Sequence, residues 1–167
     1  MIILGIDPGF GRMGCAVLEK SASSADSPKR RETLLYSTCV TTDKKLAHEK
    51  RLLALGEKLE KIIKKHKPNV IAVEKLFFFK NQKTIIGVAE AKGMILYLAA
   101  KAKIPVLEFT PLEIKMAMTG YGRAEKTQVQ KMAIAILNLK KAPKYDDEID
   151  AIACALTCSI SVIHRNF

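Results

Sequence analysis

Residues 1–7 (MIILGID) are a continuous apolar run that stops at Asp7-Pro8-Gly9, the pattern of a strand buried on both faces and followed by a turn. A second strand is predicted over 13–20. The polar, turn-forming stretch 21–31 reads as a long hairpin loop, and the β-branched and apolar run 33–41 gives a third strand. From Lys44 the period changes. Leu52, Leu55, Leu59 and Ile62 recur at helical spacing with lysines between them, and Pro68 follows where a helix stops. A short apolar strand at 69–73 ends in Glu74. Residues 80–101 are predicted mostly helical, interrupted at Gly87 and Gly93, and 105–109 form another strand. Short helices begin near Pro111 and Ala124, and a last helix fills 146–164.

The predicted order is β-β-β-α-β-α-β-α-α-α. Three strands form an antiparallel meander, and two later strands, each preceded by a helix, add in parallel. The expected fold class is α/β, a five-stranded mixed sheet flanked by helices. No repeat or linker divides the chain, so residues 1–167 are expected to form a single domain.

Composition narrows the partners. With 49% hydrophobic residues the 167-residue chain can bury a core, and no apolar stretch approaches the ~18 residues of a membrane span. The start of the chain shows no basic segment or small-residue cleavage site, so no signal peptide is expected. Cys15, Cys39, Cys154 and Cys158 lack C-x-x-C spacing and read as reduced thiols. A net charge of +11 favours a polyanionic partner, nucleic acid being the commonest.

Four carboxylates carry the chemistry. Ionised acids are almost never fully buried without a partner, yet Asp7 and Glu74 each end an apolar strand. If those strands are parallel neighbours, both side chains emerge at the carboxyl edge of the sheet, where open α/β sheets place their sites. Asp147 and Asp150 share one flank of the last helix's first turn, as i and i+3, while Asp146 and Asp150 are i and i+4. Each acid has an ordinary explanation alone, such as a turn or the helix dipole. Together, without a balancing Arg or Lys, they would repel unless hard cations held them. Magnesium suits such a set, and two ions about 3.5–4 Å apart support phosphodiester hydrolysis.

These residues lie in a longer pattern: Gly5-Ile6-Asp7-Pro8-Gly9, Ala72-Val73-Glu74-Lys75-Leu76-Phe77, Thr110-Pro111 with Lys115, the Gly120–Val129 segment (GYGRAEKTQV), and Asp147-x-x-Asp150-Ala151-Ile152-Ala153. In this order the chain resembles the RuvC-type Holliday junction resolvases, which have an RNase H-like fold. The resemblance runs from Ile3 to about Thr157. It implies that Asp7, Glu74, Asp147 and Asp150 are the catalytic, metal-binding acids, and it chooses Asp147 over Asp146. It implies two Mg2+ per subunit, with Mn2+ substituting, and a bacterial, cytoplasmic homodimer whose helix 81–101 lies near the dimer interface. The substrate so implied is a four-way DNA junction, nicked symmetrically on two strands, with a RuvA/RuvB branch-migration complex as a further partner. Departures include Glu90-Ala91-Lys92-Gly93 where the family usually has Gln-Ala-Arg-Gly, and a longer 21–31 loop.

DNA-facing residues follow. Lys115 and Lys126 match the family's basic positions near the scissile phosphate, where they would hold backbone phosphates. Tyr121 and Arg123 lie between them. Phe77, first of three consecutive phenylalanines, is expected near the junction centre, where an aromatic can stack on an unpaired base. Cys154 and Cys158 read as packing thiols, and His48, His66 and His164 as surface residues. Three other readings remain: an actin-like ATPase, a non-catalytic branched-DNA module, and a YqgF-like nuclease, which is not expected to carry the 115–129 segment.

Overall fold

β1 (Ile2–Asp7), β2 (Arg12–Lys20) and β3 (Glu32–Thr41) form an antiparallel meander, each strand alternating its side chains between two helical layers. α1 (His48–His66) then leads to β4 (Val70–Glu74), and α2 (Gln82–Lys101) to β5 (Val106–Phe109), both strands running parallel to β1. α3 (Pro111–Thr119), α4 (Lys126–Ile136) and α5 (Asp146–Ser161) complete the chain. The sheet order is β3-β2-β1-β4-β5, which contains the expected antiparallel meander and two parallel strands and makes β1 and β4 neighbours. The computed structural model describes residues 1–21, 32–75 and 82–161. Most of the predicted hairpin loop, Phe77 with its aromatic neighbours, and His164 therefore lie outside the described residues.

Strand alternation sorts the core into two layers. Leu4, Ile6, Cys15, Val17, Ile71 and Val73 face α1 and α2. Ile3, Ala16, Leu18, Val70, Ala72 and Phe109 face α3, α4 and α5. Residues 7 and 74 fall on the parity of the second set, so both strand-end acids belong to the α5 face.

α5 lies unusually close to the sheet. A Cβ added to Gly5 would stand 2.2 Å from the Ala151 carbonyl oxygen, and one added to Gly14 would stand 1.8 Å from that of Asp147. No side chain fits there, so these two glycines set the height of the helix above β1 and β2. The close approach leaves little apolar surface of the helix exposed, because Ile149 and every residue from 151 to 159 are buried.

Two local expectations change. α2 runs unbroken from Gln82 to Lys101 through Gly87 and Gly93. A Cβ at Gly87 would sit 3.0 Å from the Phe10 ring, so packing against the β1–β2 turn, not helix breaking, accounts for that glycine. His66 is not a plain surface residue either: its ring stacks on Tyr36 at 5.3 Å and its Nε2 is buried, with no hydrogen-bond partner among the described residues. Cys154 and Cys158 are buried, the packing role expected of them, and Cys15 is buried as well.

Candidate active site

Asp7 and Glu74 follow directly on Ile6 and Val73, which are register partners in the parallel pair β1·β4. Adjacent strands are about 4.8 Å apart, so the two carboxylates leave the sheet side by side. Across β1 on the other side, Asp7 pairs with Gly14, over which the Asp147 carbonyl rests. The first turn of α5 is thereby lowered onto the end of β1. Asp147 turns inward with 17% of its side chain exposed, whereas Asp146 points out with 69% exposed. That difference favours Asp147 as the inner acid. Asp150, one turn further on, reaches a cleft of about 250 Å³ that it shares with Glu74, Lys115 and Lys126.

The expectation of acids without a balancing cation is corrected here. Lys126 Nζ lies 2.7 Å from Asp150 Oδ2 and 3.7 Å from Asp146 Oδ2, and Arg12 Nε lies 3.3 Å from Asp147 Oδ2. Neither pairing is visible in linear spacing, because each depends on how separate elements dock. Lys126 is the first residue of α4, where a positive charge opposes the helix dipole by about 0.3–1 kcal/mol. The acids of α5 offset that cost. Both cations remain more than half exposed, so each is tethered at one end of a flexible, solvated side chain.

The four acids share one electrostatic environment. Asp7 is pushed up to about 8 by burial first, then by Glu74, Asp150 and Asp147, with Lys126 opposing. Glu74 is raised by burial and then by Asp150. Asp150 is raised by burial against the pull of Lys126. For Lys126, burial works against the charge, but the hydrogen bond and charge of Asp150, with Asp146 and Asp7, outweigh it and raise its pKa.

Such crowding tests whether a divalent cation fits. Among the described residues no group of three or more His, Cys, Asp or Glu is already placed to hold an ion. Asp147 and Asp150 are each turned to a cationic side chain instead. The donor chemistry nevertheless fits: all four groups offer hard oxygens, with no imidazole or thiolate among them, which is a magnesium-type set. Asp147 Oδ2 is moreover buried without a hydrogen-bond partner among the described residues, the Arg12 approach being an ion pair of poor hydrogen-bond geometry. A buried oxygen left so is costly unless something else meets it.

Asp7, Glu74, Asp147, Asp150, Lys115 and Lys126 thus gather at one edge of the sheet. Tyr121 and Arg123 stand on the α3–α4 connection, both exposed. Arg12 was not among the predicted residues. Its place just after the turn that follows Asp7 set it near the site, but nothing in the linear sequence tied it to Asp147. His48 is also more engaged than a bare surface residue, pairing with Glu90 at 2.5 Å and stacking on Phe10 at 4.3 Å.

Comparison with known proteins gives a consistent result. The family model described as "Crossover junction endodeoxyribonuclease RuvC" matches residues 3–158. A protein of that name from Petrotoga mobilis is 47% identical over 167 residues, covering 100% of this chain and 94% of that protein. Among solved structures, RuvC of Thermus thermophilus superposes with a TM-score of 0.87 at 30% identity, covering 98% of this chain and 96% of that one. The same Thermus protein in complex with a Holliday junction substrate gives 0.85 at 27% identity, covering 98% and 97%.

Proposed function

The chain belongs to the RuvC family of crossover junction endodeoxyribonucleases, and on that premise we propose that it resolves four-way DNA junctions through divalent ions held by Asp7, Glu74, Asp147 and Asp150. The observation that carries the assignment of residues is the convergence of β1, β4 and α5, which brings Asp7 under the influence of the other three acids. Ions so held would supply an activated water and stabilise the leaving oxygen of the phosphodiester; magnesium, with manganese as a substitute, matches the donors.

The chain's own side chains have separable tasks. Asp7 and Glu74 are placed beside each other by the register of β1 and β4. Asp147 and Asp150 ride on α5, whose height is set by Gly5 and Gly14. Lys126 and Lys115 border the same cleft and would bind the non-bridging oxygens of the substrate phosphate, Lys126 leaving Asp150 to do so. Lys126→Ala is expected to lower the cleavage rate by roughly 10–100-fold with a smaller effect on junction binding. Single-turnover cleavage beside gel-shift titration checks this, and an equal loss in both would make the lysine a binding group only.

Two nicks on opposed strands call for two active sites. α2 carries an apolar stripe with Ile86 and Tyr97 exposed at 68% and 65%, eleven residues apart on one side, and Gly93 between them has open space above it. That stripe is the face we assign to a homodimer. Ile86→Glu with Tyr97→Glu is expected to yield monomers in light scattering and to uncouple the paired cuts. A dimer of unchanged mass would move the interface elsewhere. No helix among the described residues is long and apolar enough to cross a membrane, and the bacterial relatives are consistent with work on DNA in the cytoplasm.

Linear duplex, four-way junction and RNA–DNA hybrid should be compared as substrates with magnesium. Symmetric cutting of the junction alone is the expected result, and preferential cutting of the hybrid would favour a ribonuclease activity instead.

A further inference from the structure

Asp147 borders a second cleft, of about 640 Å³, on the other side of the acid row from Lys115 and Lys126. It lies between the β1–β2 turn, the start of α1 and α2. Phe10 forms part of its wall, but its ring is already engaged by protein groups, His48 stacking on it at 4.3 Å and the Arg51 guanidinium lying over it at 4.0 Å. A nucleobase would have to compete with both of them to stack on Phe10.

What the cleft offers is positive charge. Arg51 is held by a frame that contains no acid: it lies over Phe10 and its Nε donates to Thr42 Oγ1 at 3.0 Å, while the Thr42 hydroxyl donates to the Phe10 carbonyl. Among the described residues no carboxylate pairs with Arg51, and none pairs with Lys44 on the same wall. A guanidinium fixed in place by neutral neighbours has little freedom left to lose, so it is preorganised for an anion. His48 already has Glu90 as its partner and contributes less.

From these observations we propose that Lys44 and Arg51 form a subsite for a backbone phosphate of the cut strand, flanking the phosphate that is hydrolysed. The strand would cross the acid row, with Lys115 and Lys126 on one side and Lys44 and Arg51 on the other. This deepens the nuclease reading above and rests on it.

A single neutral methylphosphonate linkage, moved stepwise along the cut strand of a synthetic junction, tests the subsite by binding in EDTA. The wild-type protein should lose roughly 3–10-fold in affinity at one linkage beside the scissile one, and Lys44→Gln and Arg51→Gln should each abolish that sensitivity while leaving other positions unchanged. Each variant should also flatten the dependence of log affinity on log salt by about 0.9 for each phosphate it no longer neutralises. Should Arg51→Gln not fold, exposed Lys44 decides alone, with Lys44→Arg restoring the wild-type pattern. An unchanged salt slope together with an unchanged methylphosphonate pattern overturns the subsite. Cleavage of the unmodified junction by wild-type protein reports separately on the nuclease reading.

Discussion

Asp7→Asn is expected to reduce junction cleavage by on the order of 10³-fold, to leave junction binding nearly intact, and to raise the melting temperature of the metal-free protein. The loss of cleavage follows because Asp7 is the innermost of the four acids, and an amide is a far weaker ligand for a hard cation. Binding survives because the phosphate-facing charges, Lys115 and Lys126, are untouched. The gain in stability follows from the sign of the pKa shift. Asp7 moves from an ordinary 3.8 to about 8 on folding, first through burial and then through Glu74, Asp150 and Asp147. The unfolded chain therefore binds fewer protons than the folded one between those values, and stability falls as pH rises from about 4 towards 8. Asparagine removes that dependence. In EDTA at pH 7 the variant should melt several degrees higher, with the gap shrinking as the pH approaches 4. Equal melting curves at both pH values would mean that the acid carries no folding penalty.

The second large effect is predicted for Gly14→Val. The added Cβ would lie 1.8 Å from the Asp147 carbonyl oxygen, a backbone atom that no side-chain rotation can move away. Either α5 lifts from the sheet or β2 shifts, and both disturb the layer formed by Ile149, Ile152 and Leu156. Overpacking of this kind costs about 3 kcal/mol or more, equivalent to a fall of roughly 6–12 °C in melting temperature for a chain of this size. Because the displaced segment carries Asp147 and Asp150, cleavage should be lost even at temperatures where circular dichroism shows the variant folded. Retained activity in a folded Gly14→Val protein would show that the height of α5 does not set the site.

Much of this arrangement was legible in the chain. A carboxylate closing a doubly apolar strand has few reasons to exist, which singled out Asp7 and Glu74, and the parallel addition of the later strands followed from the helix placed before each, though only the sheet order shows that β4 lies next to β1. The helical spacing of Asp147 and Asp150 put them on one flank. Their cationic partners were not legible. Lys126 is twenty-four residues from Asp150 and meets it only because α4 docks beside α5, and Arg12 meets Asp147 only because α5 crosses the end of β2. The same holds for Gly87, which reads as a helix interruption until Phe10 is seen against it. Local pattern reports which residues are unusual for their element, whereas pairing across elements needs the packed fold.

The central claim is that acids from β1, β4 and α5 form one cation site. Crystals of the protein soaked in manganese, with anomalous scattering recorded to locate the ions, test it most directly. The account predicts anomalous peaks among the carboxylates of Asp7, Glu74, Asp147 and Asp150, with Lys126 withdrawn from Asp150. Peaks confined to other parts of the surface, with the Lys126–Asp150 and Arg12–Asp147 pairs still closed, would contradict it.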